Sequence, residues 1–346
     1  MQQFDNLRIL SQQPLIKPSE LIHSLPLPYE IAKKIKIARE ITTNIIQGHD
    51  PRLLVVVGPC SIHDYKSAIE YAIKLKEAAL LYSEQLFIIM RVYLEKPRTI
   101  LGWKGYISDP FLNGSFNINA GLKLARKLLL ELGQIGIPTA TEFLDTIIPQ
   151  YLSDLISWAA IGARTSESQI HRELASGLSM PVGFKNTTDG NVQVAIDAVQ
   201  AASHPHHFLG ISREGNTAII NTTGNQAGHI ILRGGNTSTN YSRLDVALAV
   251  EALAKAKLPT RLMIDCNHGN SKKNTQQHIK VIHSIVEQLT EGTQHIFGVM
   301  LESNLKGGKQ NLTEGPLTYG LSITDACSSW QETQKMLEKL ALLAIK

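Results

Sequence analysis

The 346 residues carry 34 Lys and Arg against 30 Asp and Glu, a net charge of +4, with 43% hydrophobic and 18% charged residues. That length suits one barrel-sized unit with extensions, and that composition suits a chain with a real core. The small positive excess argues against a nucleic-acid partner, which calls for clustered Lys and Arg, yet it is compatible with a local basic pocket for anions. Three cysteines, Cys60, Cys266 and Cys327, suggest no disulfide framework and fit a reducing, cytoplasmic setting. The first residues lack a basic segment followed by an apolar one, and no apolar run approaches the ~18 residues needed to span a bilayer, so no signal peptide and no membrane partner are expected.

In chain order, residues 1–50 read as an extension holding one long helix, Tyr29–Gln47, with Ile31, Ile35, Ala38, Ile41 and Ile45 on one face and Gly48 as its stop. Residues 51–346 read as the main unit. Short apolar runs fall at 53–57, 87–92, 137–141, 158–162, 181–184, 229–232, 262–264 and 297–301. Apolar on both faces, they read as buried parallel strands. Eight of them with helices between predict an α/β fold of the (β/α)8 TIM-barrel type. Between them, 121–132 has apolar residues at helical spacing and a stop at Gly133. Ser166 with Gln169 forms a capping-box pattern opening a helix over Gln169–Ser176. Ser242 with Asp245 marks another helix start, and 274–289 and 329–344 are helical by the same test. Residues 208–223 read as an inserted β-hairpin turning at Glu214-Gly215-Asn216. Such extensions and insertions serve subunit contacts or regulation as readily as plain packing.

Active sites of barrels lie at the C-terminal ends of the strands. The runs are followed there by Cys60; by Arg91, Lys96 and Arg98; by Glu142; Arg164; Lys185; Arg233; Asp265 and His268; and Glu302, with Asp325 beyond the last. Six cations converging on one mouth would repel one another unless an anion sat among them, and phosphate and carboxylate are the natural ligands. The bland alternative is a set of rim salt bridges. Cys60, His268, Glu302 and Asp325 make a mixed thiolate, imidazole and carboxylate set, which suits Mn, Fe, Co or Zn better than Mg or Ca. Each alone reads equally well as a buried cysteine, a capped histidine or a paired acid; only the barrel brings them together.

The same residues lie in segments that resemble the metal-dependent, feedback-regulated 3-deoxy-D-arabino-heptulosonate 7-phosphate (DAHP) synthases. These are GPCSIHD at 58–64, MRVYLEKPRTILGWKGYISDP at 90–110, GARTSESQIHRELASGL at 162–178, PVGFKN at 181–186, ILRGG at 231–235, IDCNHGNSKK at 264–273, GVMLESN at 298–304 and YGLSITDAC at 319–327. The resemblance runs from about residue 5 to the end. It implies a (β/α)8 barrel that condenses phosphoenolpyruvate with erythrose 4-phosphate, the first committed step toward aromatic amino acids, using one divalent metal per subunit. By the resemblance, Cys60, His268, Glu302 and Asp325 are the metal ligands. Arg91, Lys96, Arg164, Lys185 and Arg233 form the phosphoenolpyruvate pocket, and Lys96-Pro97-Arg98-Thr99 the erythrose phosphate loop. Catalytic roles fall to Lys96, Cys60 and His268.

The resemblance also implies a homodimer or homotetramer and an aromatic amino acid effector, with Pro149, Leu178, Ser179 and Gly210 matching positions that line the effector pocket. Gly210 resembles the tyrosine-sensing branch, where phenylalanine-sensing members tend to have Ser, so tyrosine is the favoured effector. Two departures stand out: Thr187 where the family reads Gly, and Asn267 where it reads Ser. Cys327, two residues beyond Asp325, is expected to approach Cys60. A synthase for a different aldose, such as arabinose 5-phosphate, is the nearest rival, and the Lys96–Thr99 loop speaks against it. A non-catalytic sensor of aromatic amino acids is the rival from another class, and the intact metal and phosphate residues speak against that.

Overall fold

The structure, a computed structural model, describes residues 4–313 and 315–342. Two helices, α1 (Pro18–Ser24) and α2 (Tyr29–Gln47), precede the first strand. Gly48 ends α2 at φ 82°, a conformation that costs glycine nothing because it has no Cβ. The chain then alternates: β1 (Leu53–Gly58), α3 (Tyr65–Leu81), β2 (Leu86–Arg91), α4 (Ile118–Ile135), β3 (Thr139–Glu142), α5 (Pro149–Leu152), β4 (Trp158–Ile161), α6 (Gln169–Ser176), β5 (Val182–Lys185) and α7 (Gln193–Ala202). The hairpin β6 (His207–Ile211) and β7 (Thr217–Asn221) interrupts the alternation. It resumes with β8 (Gly228–Leu232), α8 (Arg243–Lys255), β9 (Leu262–Asp265), α9 (His278–Thr290), β10 (Ile296–Glu302) and α10 (Trp330–Ala341).

Eight of the strands close a parallel barrel in the order β1-β2-β3-β4-β5-β8-β9-β10, with β10 pairing back to β1. This is the predicted barrel, and the antiparallel hairpin lies outside it as predicted. The strands are buried on both faces because one face fills the barrel and the other meets the helices. Leu54, Val56, Ile89, Trp158, Ile231, Met263, Phe297 and Met300 fill the interior, and Ile45 and Ile46 of α2 join them, so the last turn of α2 closes the N-terminal end. The packing there is tight: a Cβ on Gly183 would lie 2.5 Å from Ile231 Cδ1 and 2.8 Å from His229 Nε2.

Several local expectations change. α4 continues past Gly133 and stops at Gly136, φ 84°. Gly133 is a packing residue, since a Cβ on it would stand 2.6 Å from Ile31 Cγ2 of α2. Ser166 does not form the capping box. Its hydroxyl lies 3.0 Å from the Gly162 carbonyl and 2.8 Å from the Lys185 carbonyl, and Ser168 is the N-cap of α6. Asn274 caps a short 3-10 turn, and the helix proper begins at His278. The boxes at Ser242–Asp245 and Ser329–Glu332 are both formed. The expected extension of the last helix to residue 344 lies outside the described residues. Thr187 keeps φ out of the left-handed region, and its loop turns at Gly190 instead.

The N-terminal extension is tied to the barrel flank. Asn119 Oδ1 accepts from Ile16 N, Arg126 donates to the Leu25 carbonyl, Tyr151 donates to the Ile16 carbonyl, and Ser19 N donates to the Arg213 carbonyl in the hairpin turn. No described helix is long and apolar enough to cross a membrane.

Candidate active site

The last residues of β2, β3, β5, β9 and β10 are Arg91, Glu142, Lys185, Asp265 and Glu302, so parallel strands in register deliver five charged side chains to one end. Arg91 is buried. It donates to Glu302 Oε1 at 2.8 Å and to the carbonyls of Pro59 and Cys60, and its guanidinium lies 3.5 Å above the Tyr93 ring. Burial alone would raise the Glu302 carboxyl, but Arg91, with His268 and Lys96, outweighs it and holds that group at about 2. Lys185 makes the second buried pair, with Asp265 Oδ2 at 2.8 Å. Asp265 is fully buried; Lys185 and His268 overcome the cost of burial and keep it well below the usual carboxylate range.

Cys60, Glu302 and Asp325 converge, their ligand atoms all within 4.8 Å of one another, a group able to hold a metal ion. His268 stands at its edge rather than inside it: Nε2 is 3.8 Å from Glu302 Oε1. Its backbone adopts φ 52°, rare for a side-chain-bearing residue, and turns the ring toward the group. Nδ1 lies 3.0 Å from Asp265 Oδ2 but without hydrogen-bond alignment, and it is buried with no other partner. One nitrogen close to a carboxylate and the other near Glu302 is compatible with a metal-binding imidazole, whose second nitrogen usually meets a carboxylate or carbonyl. Burial, then Glu302, push the Cys60 thiol up, against the pull of Lys96 and Arg91. Lys96 Nζ donates to Cys60 Sγ at 3.3 Å. The donor set, one sulfur, one nitrogen and carboxylate oxygens, fits a borderline or transition metal.

Arg164 is exposed on the mouth, and no acid or acceptor among the described residues pairs with it. Arg233 is buried and reaches only the carbonyl of Gly234, at 3.3 Å. Burial and the neighbouring Arg164 lower its pKa, against the pull of Asp265. A cavity of about 340 Å³ opens beside it, lined by Arg233, Thr237, Ser238, His268, Lys272 and Lys273. Pro97 is half-buried and Arg98 and Thr99 are exposed on the loop after β2, where Arg98 Nε donates to the Trp103 carbonyl.

The residues expected at an effector pocket lie around α5, the end of α6 and the hairpin. Pro149 begins α5 and is buried, Leu178 is half-buried, and exposed Ser179 lines a separate cavity of about 760 Å³ with Lys36, Arg39 and Arg213. The space beside Gly210 is not open: a Cβ there would meet Ile220 Cγ1 at 2.8 Å. Sequence reading also missed the part played by Asp265 and Asn267, which link the cations to the metal group. The signal was there, since Asp265 ends a strand three residues before His268.

A (β/α)8 barrel whose mouth joins a metal group to unpaired arginines defines an enzyme of anionic substrates. The DAHP synthetase I family model matches residues 31–338. The Tyr-sensitive phospho-2-dehydro-3-deoxyheptonate aldolase of Salmonella typhimurium is 51% identical over 339 residues, 97% of this chain and 95% of that protein. The Phe-sensitive enzyme of Escherichia coli K12 is 52% identical over 340 residues, 98% of this chain and 97% of that protein. A solved phospho-2-dehydro-3-deoxyheptonate aldolase from Francisella tularensis SCHU S4 matches with TM-score 0.95 at 54% identity, covering 97% of this chain and 98% of that one. The chain belongs to the DAHP synthetase I family.

Proposed function

We propose that this protein is a phospho-2-dehydro-3-deoxyheptonate aldolase, condensing phosphoenolpyruvate with D-erythrose 4-phosphate and water to give DAHP and phosphate. The observation that carries the reading is the juxtaposition at one barrel mouth of the Cys60, Glu302 and Asp325 group with Lys185, Arg233 and Arg164. Cys60, His268, Glu302 and Asp325 are the residues that would hold one divalent metal, Mn, Fe, Co or Zn, which when bound supplies a Lewis acid for an aldehyde oxygen. Arg164, Lys185 and Arg233 grip the phosphate of phosphoenolpyruvate, and Arg91 and Lys96 complete that pocket beside the metal group. They fix the enol carbon against the aldehyde carbon, so much of the rate comes from positioning and electrostatics. Lys96 Nζ, between the thiol and the anion pocket, is the group placed to hold or move a proton. Pro97, Arg98 and Thr99 present the erythrose phosphate site, which sets the aldose.

Phosphate release from the two substrates, with and without chelator, tests the reading. Turnover with arabinose 5-phosphate in place of erythrose 4-phosphate would overturn the choice of sugar, and no turnover with any re-loaded metal would overturn the reaction. The three free buried cysteines support a reducing, cytoplasmic setting.

Pro149, Leu178, Ser179 and Gly210 are proposed to receive an aromatic amino acid, tyrosine in preference to phenylalanine. Gly210 has no side chain of its own, and Ile220 and Phe208 are the nearest groups to the space a phenol hydroxyl would need. Relatives of both sensitivities are equally similar, so identity does not choose between them. Inhibition by phenylalanine alone in paired titrations rules tyrosine out. A homodimer or homotetramer is proposed from exposed Leu209 and Ile219 on the outer hairpin face and exposed Phe4, Leu7 and Leu10 on the N-terminal segment. Light scattering that returned a monomer would remove it.

A further inference from the structure

Asn267 lies between two charged strand ends and is bonded to both. Its Oδ1 accepts from Glu302 N at 2.9 Å, and its Nδ2 donates to Asp265 Oδ1 at 2.8 Å and reaches the Met300 carbonyl at 3.4 Å. Its backbone N–H donates to the same Asp265 Oδ1 at 2.9 Å. Asp265 Oδ1 is thereby held by Asn267 and Oδ2 by Lys185 at 2.8 Å, with His268 Nδ1 3.0 Å from Oδ2 as a charge contact rather than an aligned hydrogen bond. Asn267 is 2% exposed and Asp265 0%, so water has no access to replace these contacts. A side chain here has to accept on one side and donate on the other, which an amide does and a carboxylate or alkyl group does not.

We propose that Asn267 and Asp265 are positioning residues that tie His268 and Glu302 of the metal group to Lys185 of the anion pocket, so that metal binding and phosphoenolpyruvate binding favour each other through them. The inference rests on the metal assignment made above. Asn267 fixes the backbone from which Glu302 projects and one oxygen of Asp265. Asp265 uses its other oxygen to aim Lys185 and to keep His268 Nδ1 beside it by charge, with Nε2 on the Glu302 side. A shift in either ligand therefore moves the cation. Coupling between the sites is reciprocal by linkage.

The test uses the full chain stripped of metal and titrated with Co(II), reading the thiolate charge-transfer band given by Cys60 and, in parallel, phosphoenolpyruvate binding with and without Co(II). Asn267→Asp keeps volume and the acceptor but loses the donor toward Asp265; Asn267→Ala loses both. Each is expected to weaken Co(II) roughly 10- to 100-fold, the usual effect of losing a residue that supports a ligand. Each is also expected to bring the factor by which Co(II) tightens phosphoenolpyruvate binding toward one. Asn267→Ser, with a single shorter hydroxyl, should fall between, and it carries the measurement if the other two do not fold. Affinities and a coupling factor within twofold of wild type in folded variants would overturn the relay while leaving the metal assignment intact. A wild-type chain that binds no Co(II) would instead overturn the metal assignment, and the relay with it.

Discussion

His229 in β8 is buried among Trp158 and Phe297 inside the barrel, with no acid beside it to stabilise a charge. Trp158 Nε1 donates to its Nε2 at 3.2 Å, which requires the ring to be neutral there. Burial lowers its pKa from 6.5 to about 4, opposed only by a bond to the Ala227 carbonyl. A histidine held neutral in the folded state binds its proton more readily when unfolded. Its contribution is therefore whole above pH 6.5, declines as pH falls, and is lost by about pH 4. At about 1.36 kcal/mol per pH unit, the gap between 6.5 and about 4 amounts to about 3 kcal/mol. His229→Leu cannot titrate. It should be less stable at pH 7 by roughly 1–3 kcal/mol, because Trp158 Nε1 is left without an acceptor, yet its acid limb between pH 6.5 and 4 should be flatter by the amount just derived. Urea melts at half-unit steps, with chelator in both samples, give the difference curve. Glu302, held at about 2, contributes stability that is whole above its ordinary 4.5 and is lost progressively as pH falls from there to about 2, so the two windows barely overlap. Parallel curves for wild type and variant from pH 6.5 to 4 would falsify the reading of His229 as a buried neutral base.

Arg233→Ala should cut kcat/KM for phosphoenolpyruvate about 10- to 100-fold, the loss of a charged hydrogen bond of about 1.5–3 kcal/mol; steady-state kinetics showing less than a threefold change would remove Arg233 from the pocket. Glu302→Gln leaves Arg91 buried without its acid and should cost about 3–5 kcal/mol of stability in denaturant melts, in addition to metal affinity. Cys60 N donates to Cys327 Sγ at 3.4 Å, so the two cysteines do approach; mild oxidation of the metal-stripped chain should join them and prevent activity from returning when metal is restored, which thiol counting before and after, with recovery by reductant, will show.

The barrel was legible because its strands are short runs apolar on both faces, and five of the eight end on a charged residue. What was not legible depends on third partners. Gly133 reads as a helix stop, but its lack of a side chain serves the approach of Ile31 from α2, a contact 102 positions away in the chain. Ser166 reads as a cap, but its hydroxyl meets carbonyls of Gly162 and Lys185. In the site, the residue types at the mouth were visible. Which cation belongs to which acid was not, because strand adjacency in a closed barrel sets it: β2 and β10 face each other across β1, bringing Arg91 to Glu302.

That pairing changes what the six cations mean. Read from the chain, they form one undivided basic cluster. In the fold, Arg91 is neutralised by Glu302 and Lys185 by Asp265, and Arg98 turns to a backbone carbonyl. Lys96 stands against the Cys60 thiol. Arg164 and Arg233 remain, close enough that the charge of Arg164 is felt at Arg233, and with no acid of their own among the described residues. Two adjacent unpaired guanidiniums match a phosphate dianion better than a single carboxylate, since each can offer two donors to it. Arg91 and Lys185 belong to the proposed pocket as well, and their pairing has a second effect. They hold Glu302 and Asp265 ionised despite their burial, and an ionised Glu302 is the form able to ligate a metal. The same strand ends thus supply positive charge to the proposed anion pocket and, through Arg91 and Lys185, to the buried acids beside it.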